Sequence, residues 1–188
     1  LAGGGYDALG LTVLCGTEVE LTLGTGSAHL LAYFPDIAHL QKYREKLEPY
    51  IKNWQLSSQK AHINVATWLE AVKAGDGIWF PAHAFTPHKG IYGNCCSRLL
   101  DALPEFPLAI EMGLSADRQM ARSISELDGL VLFSNSDAHS LPNIAREYNL
   151  LEVSENSFLG LKNLLLQKEG RVVANYGLPP PIGKYHRT

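Results

Sequence analysis

The chain has 188 residues, 46% of them hydrophobic, and a formal net charge of -3. That is enough apolar material for one domain with a sizeable core, and it excludes a disordered chain. The charge excludes a broad basic field for nucleic acid, which would instead need a local patch, and no apolar run approaches the about 20 residues of a membrane span.

The chain opens on Leu1 and a Gly-rich loop, so its start is expected to fall inside a longer protein. Val13 to Thr22 reads as a strand, with Thr17, Val19 and Leu21 on one side and Glu18, Glu20 and Thr22 on the other. A turn at Gly24-Thr25-Gly26 leads to a second strand, Ala28 to Tyr33, as a hairpin or as an adjacent strand; the glycine spacing matches no phosphate loop. Asp36 caps a helix to about Leu47, which Pro49 ends. Ser57 to Ile63 reads as a polar loop, and Asn64 caps a helix over Val65–Lys73 with Gly75 past its end.

Gly77 to His83 is an apolar strand, followed by a long loop from Ala84 to Cys96. Cys15 and the adjacent Cys95 and Cys96 give an odd count without metal spacing, which argues for a reducing compartment and a cytoplasmic location rather than a disulfide framework. A short helix is expected over Ser97–Leu103, a buried strand over Leu108–Glu111, and a helix over Ser115–Leu127 with Ser115 as its cap. Gly129 to Phe133 reads as a buried strand that delivers Ser134-Asn135-Ser136-Asp137-Ala138-His139 just past its end, where Asp137 and His139, two apart on extended backbone, are expected to point the same way. A helical turn (Pro142–Arg146), a strand (Leu150–Val153), a helix (Ser157–Lys168) and a strand (Arg171–Ala174) follow, and Pro179-Pro180-Pro181 excludes a helix in the tail. Strands alternating with helices predict an α/β fold with a mostly parallel sheet, whose functional residues sit at strand ends.

The ionisable residues on strands or just past them are Glu18, His29, His83, Glu111, Asp137 and His139, with His88 in the following loop. Each has a plain structural reading. Glu18 and Glu20 can face solvent, His29 can be a hydrogen-bonded core histidine, Glu111 can pair with Arg118 or Arg122, and Asp137 can be an ordinary turn residue. Together, histidines and carboxylates at successive strand ends form a donor set suited to Zn²⁺, Mn²⁺ or Fe²⁺.

At this point the residues carry a resemblance. Ser136-Asp137-Ala138-His139, the strand-borne Gly16-Thr17-Glu18, His29-Leu30-Leu31 and Ala82-His83 together resemble the PHP (polymerase and histidinol phosphatase) superfamily. The resemblance implies a distorted (β/α)₇ barrel with two or three ions, Zn²⁺ or Mn²⁺, at its strand ends. Glu18 matches the bridging carboxylate, and His29, His83, Asp137 and His139 match further ligands. The superfamily's early His-x-His and later Asp-His are not in this chain, so the expected barrel is incomplete at its N-terminal side.

Pro81 to Gly93, Ala109 to Asp117, Ser134 to Ser140 and Gly183 to Arg187 resemble more closely the endonuclease Q branch, whose members nick DNA beside deaminated bases and abasic sites. That resemblance implies a catalytic domain over residues 1–178 and a linker, 179–188, towards a further C-terminal module. It implies damaged DNA as the partner, together with a sliding clamp. In this reading Asp137, His88 and Lys89 are catalytic, Phe85 and Tyr92 stack on or wedge beside a base, and Arg98, Lys184, His186 and Arg187 contact DNA phosphates. Two other readings stay open: a phosphomonoesterase of the histidinol phosphatase type, and a metal-binding but inactive fragment. An incomplete barrel would also leave sheet edges open to pairing with a second copy.

Overall fold

Residues 1–53, 55 and 60–182 are described by the computed structural model. Two short strands, β1 (Tyr6–Ala8) and β2 (Leu11–Val13), make an exposed antiparallel hairpin. The chain then builds its main hairpin from β3 (Cys15–Leu23) and β4 (Gly26–Phe34). The connecting turn needs a backbone that glycine tolerates best, with φ at +54° at Gly24. Apolar alternation sets the register. Val19, Leu21, Leu23, Ala28, Leu30 and Ala32 are buried, while Glu18, Glu20 and His29 share the opposite face.

The buried face is covered by α1 (Ile37–Leu47) and α2 (Val65–Ala74). Both start where the sequence places them: Asp36 accepts from the His39 N–H and Asn64 from the Thr67 N–H, each satisfying an otherwise unpaired helix donor. Pro49 falls in a 3₁₀ turn that ends α1. Trp68 is fully buried, packs edge-on against Trp79 with ring centroids 5.9 Å apart, and donates from Nε1 to the Tyr43 hydroxyl at 2.8 Å. β5 (Ile78–Pro81) adds antiparallel to β4, pairing Leu31 with Phe80 and Leu30 with Pro81.

The second half is built on β6 (Ala109–Glu111) and β7 (Val131–Phe133), which pair in parallel. A hydrogen bond from the Met112 N–H to the Phe133 carbonyl (2.9 Å) carries the pairing past the strand ends, and one from the Ala84 N–H to the Glu111 carbonyl (2.8 Å) ties the segment after β5 to β6. A one-turn helix, α3 (Arg118–Ala121), lies between them. β8 (Tyr148–Glu152), α4 (Phe158–Leu165) and β9 (Arg171–Tyr176) follow, β8 and β9 pairing antiparallel. Ile78, Phe80, Phe133, Phe158, Leu164 and Leu165 form a second apolar cluster that joins the halves.

The α/β expectation holds, but the sheet is not mostly parallel: among the described strands only β6 and β7 pair in parallel, beside one isolated parallel bridge between Glu20 and Lys60. The cause is the connections. A two-residue turn between β3 and β4 permits only a hairpin, and parallel neighbours need a long crossover. The described strands close no barrel. The helix expected over Ser115–Leu127 is only α3 and a 3₁₀ turn at Ser125–Leu127. Asp117, not Ser115, caps α3, the Ser123 hydroxyl donates to the Met120 carbonyl at 2.6 Å, and Ile124 is extended. Ser97–Leu103 and Pro142–Arg146 likewise reduce to 3₁₀ turns at Leu99–Asp101 and Leu141–Asn143. The tail does hold a 3₁₀ turn, Pro180–Ile182, because proline's fixed φ suits that turn. Of the loop expected over Ser57–Ile63, Ser57 to Gln59 lie outside the described residues, and the Ala61 N–H binds the Glu20 carbonyl at the edge of β3.

Changing Tyr43 to Phe leaves the Trp68 indole N–H buried without an acceptor. The expected loss is about 1–3 kcal/mol of unfolding free energy, read from the urea midpoint at unchanged m-value.

Candidate metal centre

Three strands deliver the site. Glu18 comes from β3, His29 from β4, and His83 from the bend after β5. The register puts His29 opposite Glu20 and diagonal to Glu18. The Ala82 N–H extends the β4–β5 ladder by binding the His29 carbonyl at 3.0 Å, which fixes His83 beside His29. His83 takes φ +29°, unusual for a residue with a side chain. Gly113 makes room for it, since a Cβ there would fall 2.8 Å from the His83 Cβ.

The three ligand atoms lie within 4.8 Å of one another. Glu18 Oε1 contacts His29 Nδ1 and lies 3.5 Å from His83 Nε2, and the two ring nitrogens face each other at 3.2 Å. Two imidazole nitrogens can meet at that distance only with a proton or a cation between or beside them. His83 Nδ1 is buried and has no hydrogen-bond partner among the described residues. Two imidazoles and one carboxylate match a Zn²⁺ or Mn²⁺ donor set, so the residues present fit a metal ion.

Electrostatics agree with that fit. Burial alone would push the Glu18 pKa up, but hydrogen bonds with His29 and His83 hold it at about 2. Burial alone would pull His83 down; the hydrogen bond with Glu18 and the negative charges of Glu111, Glu18 and Asp137 leave it raised. Glu20 faces the same side. Its Oε1 accepts from Lys89 Nζ at 2.5 Å, and its Oε2 lies 3.9 Å from His29 Nε2.

Glu111 is buried, and burial raises its pKa. It pairs with neither Arg118 nor Arg122. One oxygen accepts from the His83 N–H at 3.4 Å and the other from the Asn135 amide at 2.8 Å. Asn149 donates to Asn135, Asn175 donates to Asn149, both at 2.9 Å, and Arg118 donates to Asn175 at 3.2 Å. An amide chain thus runs from the exposed Arg118 to the carboxylate beside His83.

Asp137 and His139 do not join the three-residue cluster. Their shared direction was expected from extended backbone, but Asp137 takes φ +45°. His139 turns back to its own loop, with Nδ1 2.8 Å from the Asp137 carbonyl, and its side chain is 78% exposed. Asp137 remains near enough for its charge to act on His83 and Glu111.

His88 is exposed, and Lys89 is held by Glu20 and by the Ser27 hydroxyl at 3.0 Å. Phe85 and Tyr92 stack on each other, with centroids 5.3 Å apart and planes 7° from parallel, and the Tyr92 hydroxyl donates to Glu126 at 2.7 Å. Arg98 is exposed; Lys184, His186 and Arg187 lie outside the described residues. Sequence reasoning did not find Glu20, Asn135, Asn149 and Asn175 as site residues. The signal for Glu20 was present, because it lies two positions from Glu18 on one strand face. Neutral asparagines in loops and at strand ends carry no such signal.

No family model matches the chain. It is 38% identical to the uncharacterized protein YqxK of Bacillus subtilis, over 100% of this chain and 50% of YqxK. It is 34% identical to an uncharacterized protein of Methanocaldococcus jannaschii, over 77% of this chain and 18% of that protein. Among solved structures it is similar to the lesion-specific endonuclease PfuEndoQ of Pyrococcus furiosus, with a TM-score of 0.87 and 30% identity over 97% of this chain and 46% of that one. The same TM-score, 0.87, is found at 29% identity with endonuclease Q in complex with a 27-mer duplex carrying an abasic lesion at its active site, over 98% of this chain and 47% of that one. The chain therefore spans half or less of each of these proteins.

Changing Glu18 to Gln removes the charge shared by both histidines. Calorimetric titration with Mn²⁺ or Zn²⁺ is expected to show an affinity loss larger than the about 10–100-fold typical of an outer-shell partner, with unchanged circular dichroism. Equal affinity in the variant would remove Glu18 from the site. Changing Asn135 to Ala strands the inner oxygen of Glu111, and the expected cost is about 1–3 kcal/mol in denaturant unfolding.

Proposed function

We propose that this chain is the catalytic part of a metal-dependent DNA endonuclease of the repair type, nicking the phosphodiester beside deaminated or abasic nucleotides. The observation that carries the reading is the convergence of Glu18, His29 and His83 on one point, in a chain that superposes over nearly its whole length on an endonuclease captured with lesion-bearing DNA. Its place in a PHP-type barrel, with upstream strands completing the ligand set, belongs to the same proposal. So do Asp137 and His139 as further ligands.

A divalent cation at such a site supplies a Lewis acid for the phosphate and a water of lowered pKa. The chain's own residues do the rest. Glu18 stays ionised across the physiological range and holds both imidazoles towards one point. Glu20 and Lys89 neutralise each other, so the loop from His83 to Lys89 is pinned to β3 by charge and to β4 by the His29 N–H bond to the Lys89 carbonyl, 2.9 Å. On this reading Lys89 supports the ligand shell, and His88 contacts a non-bridging phosphate oxygen. The stacked Phe85–Tyr92 pair is a preformed wall for a nucleotide drawn out of its stack. Arg98, and the Lys184, His186 and Arg187 tail, supply phosphate contacts that position the strand.

The test offers the intact protein, with Mn²⁺ or Zn²⁺, end-labelled duplexes carrying an abasic site, deoxyuridine or deoxyinosine, beside p-nitrophenyl phosphate. A single nick at the lesion is expected, lost with chelator and restored by metal. Changing Asp137 to Asn is expected to slow it by about 100-fold or more while the thermal midpoint is kept. Release of nitrophenol without nicking would overturn the nuclease reading in favour of a phosphomonoesterase.

A further inference from the structure

Three of the chain's seven arginines, Arg118, Arg122 and Arg171, line one cavity of 410 Å³ beside β7 and β9, and no carboxylate lines it. In a chain of net charge -3 this is a local concentration of positive charge. The guanidinium groups are mostly unspent. Each offers five N–H donors. Arg118 uses one on Asn175 at 3.2 Å, Arg122 one on the Leu127 carbonyl at 3.1 Å, and Arg171 its Nε on Glu152 at 2.9 Å. The counter-charges are weak competitors. Asp128 lies 4.0 Å from Arg122, Glu152 pairs with Arg171, and their side chains are 69% and 62% exposed.

The cavity does not end at Arg118. A second one, of 350 Å³, shares that residue and follows β9 to Tyr176 and Ser134, the first residue of the loop that carries Asp137 and His139. Its one carboxylate, Asp117, is engaged in capping α3. Two registered contacts show that the two strands run side by side along this path: the Asn175 amide donates to the Leu132 carbonyl at 2.8 Å, and the Ser134 hydroxyl to the Tyr176 carbonyl at 3.3 Å.

We infer that this groove, from Arg122 and Arg171 past Arg118 to Ser134, is a track for the phosphate backbone of a nucleic-acid strand, leading it to the Ser134–His139 loop. The identity of the polyanion rests on the nuclease reading; the charge and the path do not. Contacts here are to phosphate, so they add affinity without sequence preference and make it salt-dependent.

The experiment measures binding of an undamaged duplex to the intact protein by fluorescence anisotropy, between about 50 and 200 mM salt. Combining Arg122→Gln with Arg171→Gln is expected to reduce the slope of log affinity against log salt by about two and to weaken binding at least several-fold. Lys42→Gln, at an exposed position of α1, is expected to change neither. Arg171→Gln alone, at a side chain 74% exposed, gives a loss of about one in slope without disturbing the fold. An unchanged slope in both arginine variants overturns the track. So does protection of the wild type against heat by pyrophosphate, lost in the double variant while duplex affinity stays unchanged; that result makes the groove a site for a small phosphate ester. Nicking retained with an unchanged slope removes the groove alone. Nicking absent in the wild type removes the nuclease reading, while the slope still reports on the groove.

Discussion

Two imidazole nitrogens and a carboxylate oxygen held within 4.8 Å of one another repel unless something positive is shared among them. Much of the surrounding structure answers to that constraint. The β3–β4 register brings Glu18 and His29 together, the β4–β5 ladder brings His83, and Gly113 clears the space that His83 needs. Around the cluster two further carboxylates are partnered. Lys89 offsets Glu20, and Glu111 is buried against an amide and a backbone N–H rather than a second acid. A buried carboxylate beside a histidine is costly when any of these partners is missing. The arrangement is therefore one in which the ligand geometry and the local fold stabilise each other.

The amide chain explains why the second half of the fold matters to a site whose three clustered residues come from the first half. Glu111 lies on β6, Asn135 follows β7, Asn149 is on β8 and Asn175 on β9. Four strands that form only two-stranded pairings among the described residues are thus linked through side chains at the level of the site. Neutral amides suit this role. Each has a donor end and an acceptor end, so a chain of them has a direction and carries no net charge into the interior. Its outer end is Arg118, which also joins the two cavities beside β7 and β9.

The elements that were legible in the sequence are those governed by local chemistry. Asp36 and Asn64 cap the helices they precede, and the alternation over Val19, Leu21 and Leu23 marks the buried face of β3. Glu18, His29 and His83 were legible as donors because histidine and carboxylate on apolar strands demand a partner. The sheet direction was not, because alternation of strand and helix along a chain does not state which strands become neighbours. Nor was the end of α3, where a serine hydroxyl and an extended Ile124 stop a run that is otherwise helical in composition. The extended geometry expected at Asp137 failed for a related reason: backbone beyond a strand end is set by loop contacts, here the bond between His139 and the Asp137 carbonyl.

Backbone conformation singles out the same places. Seven described residues other than glycine take positive φ, and three of them are His83, Lys89 and Asp137. Such conformations are disfavoured for residues with a Cβ and persist where neighbouring contacts over-determine them. For His83 those contacts are Gly113 and the ladder bond from Ala82 to His29; for Lys89 they are the bonds from its carbonyl to His29 and from its ammonium to Glu20 and Ser27. Asp137 is different. Its side chain is 41% exposed, and its loop is tied by the bond from His139 and by Arg146, whose Nη2 donates to the Ser136 carbonyl at 3.5 Å. A positive-φ aspartate with that little support is less fixed than His83 or Lys89. A ligand stabilises a conformer in proportion to how much better it binds that conformer than the others, so under the proposed role of Asp137 as a metal ligand this is where a bound cation would do most to select a single geometry.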